Sequence, residues 1–205
     1  MTIRGTKSVR DALLDAAETV AATEGIGRLT FDAVAAEAGV SKGGLLHHFT
    51  NKDQLIEAMV RRTAEGWRKH YTEAYDNAPP GPGRMVRGLL QSCFTDAEQW
   101  TEELRRSFSS VFAALAQNPA LVAPMREAYQ DLYRLVEEDG LPDGLAEALT
   151  TAIDGMWFYW VLRLRPVDQR ALDRMRITLE GILAQAQAAE AAKEIIPRTT
   201  IPEDT

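Results

Sequence analysis

Apolar residues recur along this chain at spacings of three and four, and no alternation long enough for a strand interrupts them. The pattern predicts an all-α fold with about nine helices. Val9, Leu13, Ala16, Ala17 and Val20 mark a first helix, ending near Gly25, a residue suited to a C-terminal cap. Phe31, Val34, Ala35 and Ala38 mark a short second helix. Thr30 is placed to cap it, and Asp32 in its first turn complements the helix dipole. Gly39 supplies the left-handed backbone that ends a helix, and Val40 follows as the apolar residue that tucks back. Ser41 then caps a third helix, Lys42 to Phe49, with Leu45 and Phe49 inward.

A long helix from about Lys52 to Tyr75 follows, with Asn51 as cap and Gln54 as its capping-box partner. Leu55, Met59, Thr63, Trp67, Tyr71 and Ala74 form its apolar face, and the Pro79-Pro80-Gly81-Pro82-Gly83 run stops it. Met85, Leu89 and Cys93 mark the next helix, and Leu104, Phe108, Val111, Phe112 and Leu115 the one after. Asn118-Pro119 reads as a cap with proline at the first helical position, ahead of Leu121, Val122, Met125, Tyr129, Leu132 and Val136. Two last helices, Leu145 to Leu164 and Asp168 to about Ala191, flank Arg165-Pro166. The expected division is a head over residues 1–51, a body over 52–193 and an irregular tail over 194–205, with a loose arm at residues 1–6.

Two short helices joined by a tight turn, with a third starting directly after, make a helix-turn-helix. In that motif the second helix enters the DNA major groove and the first braces it across the backbone. Lys42 can reach a phosphate or the acceptor edge of guanine, or it is simply a solvated lysine. Gly43 and Gly44 each cost about 1 kcal/mol inside a helix. Either they allow close approach of backbone to DNA or they sit in a turn at the helix start. Leu46 points away from Leu45 and Phe49 and can meet a thymine methyl. His47 and His48, adjacent on a helix, diverge by about 100°, too far apart to chelate one metal in the i, i+4 manner. No metal site is expected, and imidazole contact with phosphate is the better reading. Lys52 and the amides opening the long helix form a phosphate clamp.

An Ala-Gly-Val-Ser-Lys-Gly run, then a Leu, a His, a Phe and a Lys near the next helix start, resembles the recognition region of TetR (tetracycline repressor-like) family regulators. Residues Val9 to Ile56 carry the resemblance, and the rest matches only in length and helical layout. The family's usual pattern has Thr where Gly44 stands and Tyr where Leu46 and His48 stand. Thr30, Ser41, Lys42, His47 and Lys52 match its DNA-contacting positions. The departures remove hydroxyls that bind phosphates or base edges, so the operator sequence is not implied.

Charge then tests the motif. The net charge of −7 is unusual for a DNA-binding protein, yet acidic and basic residues balance up to Lys52, so the excess acidity lies after Lys52, away from the proposed DNA face. A few phosphate contacts aided by helix N-termini suffice. The charge argues against a non-specific nucleic-acid coat, which would be basic over a broad surface. One cysteine, Cys93, precludes an internal disulfide and fits a reducing cytoplasm. No apolar run approaches the roughly 18–20 residues of a membrane span, and no secretion signal is expected behind MTIRGTKSVR.

The resemblance further implies a pocket between the body helices, for which Trp67, Phe108, Phe112, Met125, Tyr129, Met156, Trp157 and Trp160 are candidates. Core packing is the competing reading for each. Arg126 and Asp154 are polar candidates within apolar stretches. The run Met156-Trp157-Phe158-Tyr159-Trp160 places aromatics all around its helix, which should then be buried on several sides. Leu172, Met175, Leu179, Ile182 and Ala186 alternate spacings of three and four, a seam suited to a helix partner, either a second subunit or an intrachain neighbour. The resemblance implies a dimer through the last two helices. The expected protein is a cytoplasmic homodimer that binds a palindromic operator in double-stranded DNA, a repressor released by a small apolar or aromatic ligand. It needs no cofactor and is no enzyme, since no phosphate loop, metal-ligand motif or nucleophile elbow is present. The rivals are a ligand-independent regulator or activator, and an all-α enzyme or lipid-binding bundle.

Overall fold

The computed structural model describes residues 8–94 and 100–195, and these are all-α. Nine α-helices follow one another among the described residues: α1 Val9–Thr23, α2 Phe31–Ala38, α3 Lys42–His48, α4 Lys52–Asn77, α5 Arg84–Phe94, α6 Glu102–Gln117, α7 Ala123–Glu137, α8 Leu145–Val161 and α9 Gln169–Ile195. Short 3₁₀ turns precede α2 and α7. The arm at residues 1–6 and the tail beyond 195 lie outside the described residues.

The chain forms two compact units, residues 8–70 with 100–132 and residues 71–94 with 133–195. In the first, α1 packs on α2 and α6, and α2 packs on α3. Leu13, Leu14, Ala17, Leu29, Val34, Leu45, Phe49, Leu55, Ile56 and Met59 are buried to within a few per cent, which gives the head a continuous apolar core. Arg62 of α4 ties α1 to this core. Its guanidinium meets Asp15 and Glu18, each at 2.8 Å, and also donates to the Asp11 carbonyl. Deeper along α4, the Thr63 hydroxyl bonds its own Met59 carbonyl and pairs at 3.0 Å with Ser110, which is fully buried on α6.

Two local expectations change here. The Gln54 side chain accepts from the Thr50 amide and hydroxyl (3.0 and 2.9 Å), while Asn51 Oδ1 caps the Gln54 amide at 2.9 Å. The reciprocal bond therefore lands one residue before the cap, because Thr50 offers two donors to one acceptor. Leu115 is 46% exposed, whereas Ser110, Ala113 and Ala114 form the buried face of α6. Packing on α1 and the Ser110 bond to α4 turn the small residues inward.

In the second unit, α5 packs on α8 and α9. Met85, Val86, Leu89, Leu90, Cys93 and Phe94 are buried there with Leu149, Ile153, Met156, Leu172 and Leu183. Gly88 sets the approach of α5 to the end of α4, since a Cβ on it would stand 2.4 Å from the Ala74 carbonyl oxygen. Side chains finish both helix ends. Arg84 Nε donates to the Tyr75 and Ala78 carbonyls that close α4 and lies over the Tyr75 ring. Asp139, buried and remote in sequence, accepts from the Met85 and Val86 amides at 2.7 and 3.1 Å and so caps α5. Burial pushes its carboxyl above the usual range, and these same amides partly pull it back. The Pro/Gly segment is held by Arg87, which donates to the Pro79 and Pro82 carbonyls, and by Gln187, 2.6 Å from Pro82 O.

The aromatic run on α8 is not covered on every side: Met156 is buried, but Phe158 and Tyr159 are 53% and 44% exposed. Alternating sides of a helix cannot all face one chain's core, and the outer aromatics are left on its surface. No helix among the described residues is long and apolar enough to cross a membrane.

Candidate nucleic-acid interface

Local sequence builds the interface residue by residue. Thr30 Oγ1 accepts from the Ala33 amide at 3.2 Å and starts α2. Gly39 ends it at φ +67°, a conformation that costs a residue with a Cβ about 1–2 kcal/mol. The Val40 amide then bonds the Ala35 carbonyl and tightens the turn. Ser41 Oγ accepts from the Gly44 amide at 3.1 Å and opens α3. Leu45 (0% exposed) and Phe49 (2%) anchor α3, and Arg10 lies over the Phe49 ring.

Anchoring through those two side chains leaves the other face of α3 in solvent. Lys42, Gly43, Gly44, Leu46, His47 and His48 are all exposed, as are Thr30 and Ser41. His47 and His48 meet edge-on, with ring centroids 5.6 Å apart. Neither glycine in α3 has left-handed backbone. A Cβ on Gly43 would meet only Ser41 Oγ, at 3.9 Å, so internal packing does not require glycine there. Lys52 is half-buried at the start of α4, beside the Asn51 cap. Lys42 has a partner that sequence reasoning missed: its Nζ sits 2.9 Å from Asp32 Oδ2. Asp32 lies ten residues back, on α2, and no local periodicity links the two.

The candidate ligand residues divide between the units. Trp67, Phe108, Phe112, Met125 and Tyr129 belong to the first, and Met156, Trp157 and Trp160 to the second. Within the first, Trp67 and Tyr129 approach to 6.2 Å between ring centroids, and His70, unremarked in the sequence, stacks on Trp67 at 5.4 Å. Phe108 and Phe112 are half-buried, and Met125 is buried. Trp157 and Trp160 meet edge-on at 5.2 Å. Arg126 is exposed and Asp154 half-buried. Clefts of about 260 and 290 Å³ flank Pro80–Pro82 in the second unit, and no candidate ligand residue lines them.

The seam proposed for α9 splits. Leu172 and Leu179 are buried within their own unit, Met175 and Ala186 are half-buried, and Ile182 is 40% exposed. Leu172 and Leu179 thus lie in the chain's own core, while Ile182 faces outward. Among the described residues from α8 onwards, Phe158, Tyr159, Leu162, Leu164, Ile177 and Ile182 are exposed apolar side chains.

A capped helix-turn-helix with a solvated second helix, set in an all-α chain, defines a DNA-binding regulator. Comparison with known families names the class: residues 13–59 match the model for bacterial regulatory proteins of the tetR family. Residues 83–184 match a tetracyclin repressor-like C-terminal domain. The chain belongs to the TetR family of transcriptional regulators, which are DNA-binding proteins and not enzymes. Among relatives, the HTH-type transcriptional regulator BetI of Paraburkholderia phymatum is 27% identical over 194 residues, 90% of this chain and 98% of its own length. Among solved structures, the multidrug binding protein EbrR complexed with malachite green superposes with a TM-score of 0.63 at 25% identity, over 85% of this chain and 97% of that one. A transcriptional regulator from Rhodococcus sp. Rha1 superposes with a TM-score of 0.68 at 21% identity over 87% of this chain and 97% of that one, a likeness of fold.

Proposed function

We propose that this chain is a cytoplasmic homodimer that reads a palindromic operator, represses transcription from it, and is released by a small apolar or aromatic ligand. The observation that carries the DNA-reading part is the solvated face of α3, Lys42 to His48, between Thr30 and Lys52. Lys42, Leu46, His47 and His48 supply groove and phosphate contacts, Thr30 and Ser41 supply hydroxyls, and Lys52 clamps a phosphate with the amides of α4. The bare Gly43–Gly44 surface supports close approach, since packing gives no reason for its missing side chains.

Dimerisation is supported by the apolar surface of α8 and α9, where Phe158, Tyr159, Ile177 and Ile182 stand exposed. Paired heads about 34–36 Å apart would read two half-sites one turn apart. Ligand response is supported by α4, which carries Lys52 at one end and buried Trp67 beside Tyr129 further along. EbrR has been crystallised with malachite green and with ethidium, which makes planar aromatic compounds the first class to try. Release requires that the ligand favour the released state by a few kcal/mol, since only differential affinity moves such an equilibrium.

Selection from a pool of random duplexes across a salt series tests this reading. The expected result is an enriched palindrome, lost in Lys42→Ala/Lys52→Ala and released by an aromatic effector found by thermal shift. Weak binding with no enriched sequence would overturn it.

A further inference from the structure

We infer that Asp32 is a specificity-determining residue of the DNA-reading head, acting on Lys42 as a built-in competitor for phosphate. The inference rests on the reading above that α3 faces DNA. Asp32 Oδ2 and Lys42 Nζ are 2.9 Å apart, and both side chains stand in solvent, 73% and 54% exposed. The pair is carried by α2 and α3 and lies at the start of the reading helix rather than on the far side of the head.

The chemistry follows from what an ammonium can do. Lys42 has three donors and no acceptor, so it can keep Asp32 and still donate to one more group. If that group is the O6 or N7 edge of guanine, the new acceptor is neutral and the ion pair survives. If the group is a phosphate, two anions crowd one cation, and the carboxylate opposes the contact. Non-specific binding draws nearly all its strength from phosphate contacts and released counterions. Asp32 therefore weakens binding to the wrong DNA more than binding to a site with guanine under Lys42. Nothing inside the head requires the pair, because the caps on α2 and α3 are supplied by Thr30 and Ser41.

The experiment compares wild type, Asp32→Asn, Lys42→Ala and the double variant on two duplexes: the operator enriched from the random pool, and a scrambled duplex of the same length and composition. On the scrambled duplex, Asp32→Asn frees one phosphate contact per head, so the slope of log K against log salt steepens by about 0.9 per head, or roughly eightfold in affinity at 0.1 M salt. On the operator the gain is smaller, so discrimination falls. In the Lys42→Ala background Asp32→Asn adds no slope, which separates the pair from the mere loss of an acidic charge. Equal steepening in both backgrounds, or unchanged discrimination in Asp32→Asn, overturns the inference and leaves the reading of α3 intact. A pool that yields no enriched sequence, or Lys42→Ala binding both duplexes as wild type does, overturns the reading and the inference together. Thermal melts of the four proteins should agree within a few degrees, because exposed pairs contribute little to stability.

Discussion

Glycine is the residue that loses most freedom on entering a helix, and α3 carries two of them in its first turn. Gly43→Ala should therefore raise the stability of the head by about 0.5–1 kcal/mol, because its Cβ would meet only open space and the Ser41 hydroxyl. The same methyl should weaken operator binding by at least tenfold, as read by titration of a labelled duplex. A tighter-binding Gly43→Ala would mean that DNA does not approach this surface. Gly88 is the opposite case. Its missing Cβ is required by the Ala74 carbonyl 2.4 Å away, so Gly88→Ala should cost about 1–3 kcal/mol in a urea titration, with α5 forced off α4. Cys93 is buried, and burial pushes its thiol up to about 11 despite hydrogen bonds with Trp157 and Ser92 that lower it. The native protein should be inert to a thiol reagent at pH 8 and expose one reactive thiol per chain once unfolded. The folded chain holds that proton more tightly than the unfolded one. Its contribution to stability is thus intact below the ordinary thiol value of about 8.5 and is lost as pH rises towards 11.

The helix ends show what a sequence discloses. Thr30, Gly39, Ser41 and Asn51 each act within four residues of where they stand, through a cap or a turn whose chemistry is local. Those positions, and with them the solvated face of α3, were legible from residue type and spacing. The contacts that join one helix to another were not. Arg62 reaches back to Asp15 and Glu18 on α1, and Asp139 reaches back to the first turn of α5. A charged residue in an amphipathic pattern announces exposure, not the partner that a fold will bring to it. Arg62→Ala should leave the two carboxylates facing each other without their counter-charge. The expected loss is about 1–2 kcal/mol, discounted for the partial exposure of all three groups, with recovery when Glu18→Gln is added. Chemical denaturation of the single and double variants checks the coupling.

For the whole molecule, periodicity names an apolar stripe but cannot say what lies against it. Leu172 and Leu179 share a spacing with Ile182, yet the first two are core and the third is surface. The aromatic run on α8 divides in the same way, Met156 inward and Phe158 outward. The fold class and the solvated face of α3 therefore emerged early, while which apolar side chains of α8 and α9 stay outward needed coordinates. Replacing Phe158 and Ile177 by glutamate should convert a sedimenting dimer to a monomer and abolish binding to a palindrome at nanomolar protein. The thermal transition of the monomer should survive, since both side chains are more than half exposed in the chain alone. An unchanged dimer in the double variant would place the interface elsewhere.

The Pro79–Gly83 segment looks, by composition, like the place to cut this protein or to insert something into it. Its carbonyls are held by Arg87 and Gln187, and the helix ends on either side of it are closed by Arg84 and Asp139. A fluorescent reporter spliced there would break the brace it replaced, and limited proteolysis of the native protein should spare the segment despite its exposure. Anyone turning this regulator into a biosensor would do better to leave that corner whole and attach the reporter elsewhere.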